Sequence, residues 1–426
     1  MPEIHMMTAT ALAEAIDSGA LSAEAIVRAH LDRIDARDAD VLAWSHIARD
    51  AALRTAHDLD RGPRKGLLHG IPFGVKDIID SFDQPTTYGS PIFTKHYPAA
   101  DAASVALPRA AGAILLGKTV TAEFANRHPG VTRNPHNPAH TPGGSSSGSA
   151  AAVADFQVTL STGTQTGGST IRPAAFCGIV GYKPTYGHFA PAGMKANTEW
   201  LDTIGAYART VEDIALFRAV LMAIPYAPIA GLSRPPRVAV CFTHHRDELS
   251  REGTQAVNDA AALLAAAGAE VREMDLPAPV REMTAGQQTL SNFDGPRAHA
   301  DEARRFFDQL SASLKADKLE AGATVDYAAW VAARTLGERG RAAVDALFDD
   351  IDVILTAPAA GEAPVGLQST GRATFNLLWT YLWMPCITLP VATGPTGLPV
   401  GIQLVGRQHE DARLLDIAAW ARKVLS

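Results

Sequence analysis

The sequence predicts an α/β protein built in layers, on three observations. Segments with a helical spacing of apolar residues alternate with short apolar runs of strand length. Gly- and Pro-rich breaks separate them, with no low-complexity linker longer than a loop and no internal repeat. The chain's 426 residues, 47% hydrophobic and 19% charged, suffice for one large core or two smaller ones.

The first helix is expected after Ser22, whose side chain can cap it. Glu24 falls in its first turn, and Val27, Leu31 and Ile34 recur on one face. Ala-rich, charged text reads as a second helix to about Asp60, and residues 61–66, RGPRKG, break it. Residues 67–80, LLHGIPFGVKDIID, read as a strand punctuated by Gly and Pro, a pattern that marks a bulge or a close backbone approach. A helix near 102–111 leads into a buried strand at 113–117. The Gly/Ser loop 143–149 precedes a helix opening at 150–154. Residues 160–166 read as a short strand entering a second glycine loop, and 176–182 return to apolar text. A strand at 238–242, a helix over 255–267 and a strand at 270–274 form another β-α-β unit. Residues from about 280 to 350 read as mainly helical and more polar. Strands at 353–355, 387–389 and 401–405 and a helix over 413–424 close the chain.

Composition argues against several roles. The net charge of −7, with Lys and Arg thinly spread, disfavours nucleic acid as a ligand, since phosphate-backbone binding needs clustered cations. Cys177, Cys241 and Cys386 are few and far apart, which suits buried thiols in a reducing compartment rather than a disulfide frame. No basic-then-apolar leader pattern opens the sequence, and Arg218, Pro225 and Pro228 interrupt the most apolar window, 214–232. A cytoplasmic protein without a membrane span is expected.

The glycine loops carry the chemistry. Gly167 and Gly168 let the backbone turn tightly before Ser169, so that a row of N–H groups can face a developing oxyanion. Ser169 at the end of that row can attack a carbonyl if a base accepts its proton. His128, His136, His140 and His188 flank the segment and leave a Ser-His arrangement open, although 167–171 lacks the G-x-S-x-G elbow. Lys76, in an apolar strand, is the better base, because burial disfavours the ammonium and lowers its pKa. Its rival role is an ion pair with Asp77 or Asp80. The Gly/Ser loop does not fit a phosphate loop, because Ser149 and Ala150 stand where that pattern needs Lys and Ser/Thr. The run 244–248, HHRDE, reads as a solvated loop, and Cys177 as a packed thiol.

Gly74-Val75-Lys76-Asp77, Gly143-Gly144-Ser145-Ser146-Ser147-Gly148-Ser149 and Thr164-Gln165-Thr166-Gly167-Gly168-Ser169 stand in this order, followed by Pro173-Ala174-Ala175-Phe176-Cys177-Gly178. With Gly181-Tyr182-Lys183-Pro184-Thr185, Leu201-Asp202-Thr203-Ile204-Gly205 and Leu398-Pro399-Val400-Gly401-Ile402-Gln403, the series resembles the amidase signature family over nearly the whole chain. The resemblance implies a mixed central sheet covered by helices on both sides and a Ser-Ser-Lys hydrolase that needs no cofactor and no metal. It maps the nucleophile on Ser169, a relay serine on Ser145 with a cis bond to Gly144, and the base on Lys76. Backbone N–H groups of Thr166, Gly167, Gly168 and Ser169 would hold the oxyanion. Ser146 and Ser147 would orient the relay, one of them bonding Lys76.

Two departures bear on substrate. Gln165 stands where many members have Asp, and loss of that charge is expected to alter loop hydrogen bonding or the field near the nucleophile. Arg172 follows Ser169 by three places rather than two, an arrangement similar to the malonamidase type, whose Arg holds a substrate carboxylate. The alternative for Arg172 is a structural salt bridge under the loop.

The reading is one domain, with N-terminal helices over 1–60, a catalytic core over 61–210, a largely helical excursion over 211–350 and a core-closing segment over 351–426. It is expected to hydrolyse a small-molecule amide, carbamate or urea-like compound. The rivals are the A subunit of a tRNA-dependent glutamine amidotransferase and a noncatalytic binding protein on the same fold. Trp200, Phe293, Trp330, Trp379 and Trp383 are candidates to line the pocket. Expected partners are the small substrate and a second copy in a homodimer, with neither nucleic acid nor membrane.

Overall fold

A computed structural model describes residues 3–277, 280 and 283–425; positions 1, 2, 278, 279, 281, 282 and 426, which the sequence places in the N-terminal, helical and closing segments, lie outside them. Among the described residues, eleven strands form one mixed sheet. They are β1 (Trp44–Ile47), β2 (Pro72–Lys76), β3 (Ile114–Thr119), β4 (Leu160–Gln165), β5 (Val180–Lys183) and β6 (Thr203–Ala208), then β7 (Arg237–Val240), β8 (Glu270–Glu273), β9 (Val353–Thr356), β10 (Cys386–Thr393) and β11 (Pro399–Val405). Their spatial order is β1-β3-β2-β4-β6-β5-β10-β11-β9-β7-β8. β2 runs parallel to β3 and β4, and β7 parallel to β8 and β9. The remaining pairs are antiparallel.

Alternating side chains show why both faces must be covered. In β3, Ile114 and Leu116 enter one apolar cluster and Leu115 another. In β9, Val353 and Leu355 join the large cluster while Ile354 joins a third. A strand buried on both faces carries no polar stripe, so it reads as a continuous apolar run. The helices that cover the sheet begin with α1 (Ala9–Asp17), α2 (Ala23–Val41), α3 (Arg49–Arg61), α4 (Ala103–Ala110), α5 (Ser147–Ala154) and α6 (Ile171–Cys177). The second half adds α7 (Val211–Leu221), α8 (Arg251–Ala266), α9 (Thr284–Ala298), α10 (Tyr327–Asp345), α11 (Thr374–Tyr381) and α12 (Asp411–Leu425), with short helical segments between α9 and α10. Among the described residues no helix is long and apolar enough to cross a membrane.

Local outcomes differ from the sequence expectation at identifiable places. Ser22 caps α2, its Oγ accepting from the Ala25 amide at 3.1 Å. The expected second helix is α3, Arg49–Arg61, but a strand that the sequence reading did not foresee separates it from α2. Leu42 turns left-handed at φ 54, and Trp44–Ile47 pairs with the edge of β3, so sheet pairing overrides helix propensity. Of 67–80 only Pro72–Lys76 is strand, since the chain turns back after Lys76, whose carbonyl accepts from Ile78 and Ile79. α5 starts at Ser147, so the end of the Gly/Ser loop is already helical. The run 243–248 is a 3-10 turn in which His245 Nδ1 lies 2.7 Å from Glu248, not a free loop.

Because β2 and β4 are parallel neighbours, Lys76 and Gln165 end at the same edge of the sheet. Loops leaving the carboxyl ends of adjacent parallel strands converge there, which is where open α/β sheets form crevices. Gly148 brings the third segment in: a Cβ on it would lie 2.1 Å from the Ala43 carbonyl oxygen and 2.4 Å from the Val120 nitrogen.

Candidate active site

Lys76 is wholly buried at the end of β2, and its Nζ lies 2.7 Å from Ser145 Oγ and 2.7 Å from Thr164 Oγ1. Burial pushes its pKa well below the ordinary lysine value; Asp202 acts to raise it and Arg172 to lower it further. The rival ion pair does not form. Asp77 Oδ1 accepts from the Thr87 amide at 3.0 Å and lies 4.0 Å from the neighbouring buried lysine, Lys118. Asp80 accepts from Tyr88.

Ser145 is buried, and the bond from Gly144 is cis. Ser146 and Ser147 do not reach Lys76. Ser146 Oγ accepts from the Thr164 amide at 3.2 Å and Ser147 Oγ donates to the Val120 carbonyl at 3.3 Å, so both tie the loop to the strands. The hydroxyl beside Lys76 belongs instead to Thr164, which sequence reasoning passed over although it opens the quoted glycine motif.

The second loop is held from behind. Thr380 Oγ1 donates to the Gly167 carbonyl at 2.7 Å, Gln287 Nε2 to the Thr166 carbonyl at 3.0 Å, and Tyr207 OH to the Ser169 carbonyl at 3.1 Å. With those carbonyls held, the amides of Thr166, Gly167, Gly168 and Ser169 find no acceptor among the described residues. Thr166 Oγ1 donates to Asp202 Oδ1 at 2.5 Å.

Gln165 is buried beneath the loop, not open to the cavity. Its Oε1 accepts from the Thr170 and Ile171 amides at 2.9 and 3.0 Å, and its Nε2 donates to Thr380 Oγ1 at 2.9 Å. A carboxylate cannot make that last bond as a donor. Gln165 thus joins the start of α6 to α11.

Arg172, on α6, is 4% exposed and borders the cavity. It donates to the Gly144 carbonyl and, at 3.2 Å, to Thr370 Oγ1, while its Nε has no partner among the described residues. Burial lowers its pKa to about 10. The structural salt bridge weighed for it is absent among the described residues.

The cavity over Ser169 has a volume of about 730 Å³ and is walled by polar and apolar residues from the segment 125–129, the glycine loop, α9, the segment 313–318 and the segment 368–377. The five aromatic candidates do not line it. Trp379 is enclosed in the core, and Trp200 and Trp330 face a neighbouring space of about 460 Å³ that meets the first at Asn197. Their large apolar rings pack between α9, α10 and α11 rather than over a polar loop.

Comparisons with known proteins bear on the family and the fold. The family model for Amidase matches residues 25–415. The A subunit of the glutamyl-tRNA(Gln) amidotransferase of Chloroflexus aggregans is 32% identical, with 98% of this chain and 96% of that protein covered. A crystal structure of an amidase superposes with a TM-score of 0.91 at 28% identity, over 99% of this chain and all of that one. A chain from a vestigial protein complex linked to the origins of an s-triazine catabolic enzyme gives 0.89 at 28% identity, over 98% of each chain.

Proposed function

The chain belongs to the amidase family, and from that premise we propose that it hydrolyses a small anionic amide through Ser169, with Ser145 as relay and Lys76 as base. One observation carries the reading: a buried lysine with no carboxylate within ion-pair distance among the described residues lies 2.7 Å from Ser145, and the amides of the 166–169 loop find no acceptor among those residues. Burial disfavours the ammonium form of Lys76 and so favours the neutral amine that a base needs.

Neutral Lys76 takes a proton from Ser145, which takes one from Ser169 as its Oγ bonds to the amide carbon. The free amides of the 166–169 loop stabilise the oxyanion. On collapse the carbon–nitrogen bond breaks, Ser145 protonates the leaving nitrogen, and Lys76 returns its proton to Ser145. Water then attacks the acyl-Ser169 by the same relay and releases the acid. Arg172 would orient a carboxylate of the substrate, since its Nε is unpartnered at the cavity wall.

Purified protein should release ammonia or amine from malonamate faster than from propionamide, and Ser169→Ala should abolish both. Equal turnover by Ser169→Ala would overturn the reading. The amidotransferase relatives favour a second reading, in which glutamine is the ammonia donor for a partner. Glutamine turnover by the isolated chain, set against malonamate, separates the two.

A further inference from the structure

A buried cation is costly unless a counter-ion offsets its lost hydration. Four Lys and Arg side chains border the cavity over Ser169, namely Arg127, Arg172, Lys318 and Arg372, with Asp317 as the one carboxylate among the described lining residues. Arg372 pairs with Glu248 at 2.9 Å and Arg127 reaches Asp317 at 3.5 Å, and both arginines are largely exposed. Arg172 and Lys318 are different. Both are more than nine-tenths buried, and neither has a carboxylate within ion-pair distance among the described residues.

Lys318 donates from Nζ to Ser291 Oγ on α9 at 2.5 Å. Its pKa is lowered to about 8 by burial, aided by Arg127 and opposed at longer range by Asp202, Asp317 and Asp294, none of which is within ion-pair distance. Asp202 cannot serve as the missing partner, because its oxygens already accept from Thr166 Oγ1 and the Asn197 and Thr198 amides. The position of Lys318 is also built. It lies in a π-helical stretch, Lys315–Glu320, a distortion frequent at functional sites. Gly295 of α9 lets that stretch approach so closely that a Cβ there would meet the Lys318 carbonyl at 2.7 Å.

We propose that Lys318 is a second anion-binding residue of this cavity, so that the preferred substrate is a small amide bearing two anionic groups, one for Arg172 and one for Lys318. The proposal rests on the amidase reading of the same site, and it extends the site to a part of the chain that holds none of the signature motifs.

The test is calorimetric binding of malonate, succinate and glutarate to the Ser169→Ala protein, with propionate as the single-charge control. At least one dicarboxylate should bind ten or more times more tightly than propionate. Lys318→Met, which keeps the length and apolar stem, should reduce that ratio about tenfold without weakening propionate, and Lys318→Arg should restore part of it. A melting curve confirms that each variant is folded. Equal binding of dicarboxylates and propionate, or an unchanged ratio in Lys318→Met, overturns the proposal. Loss of the ratio in Lys318→Met, with no amide cleaved by the parent protein, would retain the anion site and sink the hydrolase reading instead.

Discussion

At Lys76, geometry and electrostatics agree: the buried amine has hydroxyl neighbours and no carboxylate in contact among the described residues. Thr164→Val removes one of those hydroxyls while keeping shape. A net hydrogen bond is worth about 1 kcal/mol, so kcat should fall roughly five- to tenfold with KM little changed, as steady-state kinetics would show. The pH profile follows from the direction of the shift. Since the neutral amine is the active form and its pKa lies below the ordinary lysine value, kcat/KM should rise with pH along a limb set well below that of free lysine. The same shift has a stability consequence. The unfolded chain binds the proton more readily than the folded one, so the buried amine opposes folding at neutral pH and does so less as pH rises toward 10.5. Lys76→Met should therefore be inactive yet melt no lower than the parent at pH 7; a lower melting temperature would contradict this account.

At the scale of elements, the site depends on how closely loops and helices approach one another. Gly148 lies against the chain between α2 and β1, with the Ala43 carbonyl where a Cβ would go. Gly148→Ala should cost about 3 kcal/mol or more, measured by urea unfolding, because backbone cannot move aside as a flexible side chain can. Gln165 is the hinge between β4, α6 and α11. Gln165→Leu orphans two amides and leaves Thr380 without its donor, each orphaned buried group costing about 1–3 kcal/mol. Both stability and kcat should drop, and a loss confined to KM would argue that Gln165 touches substrate instead. Of the two effects expected from the amide in place of a carboxylate, altered loop hydrogen bonding or an altered field near the nucleophile, the structure displays the first.

For the molecule as a whole, acid stability should fall in two stages. His30 and His299 are buried, and burial lowers both pKa values to about 3. The unfolded chain thus binds their protons first, and stability is lost as pH falls from about 6.5 toward 3. Burial acts to raise the pKa of Asp352 and of Asp411. At Asp352 it is outweighed by the Arg237 amide and the guanidinium groups of Arg234, Arg237 and Arg413, and at Asp411 by His188, Thr185 and Tyr182. Both carboxyls end far below their usual range, so their contribution is complete above about pH 4 and is lost at lower pH. Thermal melts from pH 8 to 3 should show a shallow decline that steepens below pH 4. These groups tie together distant parts of the chain, β7 to α12 and β5 to α12, so their protonation should loosen the sheet as one unit.

By itself the sequence determined the α/β class and the order of the glycine motifs, and it singled out a buried lysine that the structure sets beside Ser145. These are local matters: side-chain-free turns, apolar runs and an isolated Lys among them are visible in a few consecutive residues. Tertiary structure decided the rest. That Trp44–Ile47 is a strand, that Thr164 rather than Ser146 or Ser147 neighbours Lys76, that Gln165 faces inward, and that Lys318 and Arg172 border one cavity all depend on contacts between residues far apart in the chain. Hydrogen-bond partners and counter-ions are properties of neighbours in space, and a sequence lists neighbours only along the chain.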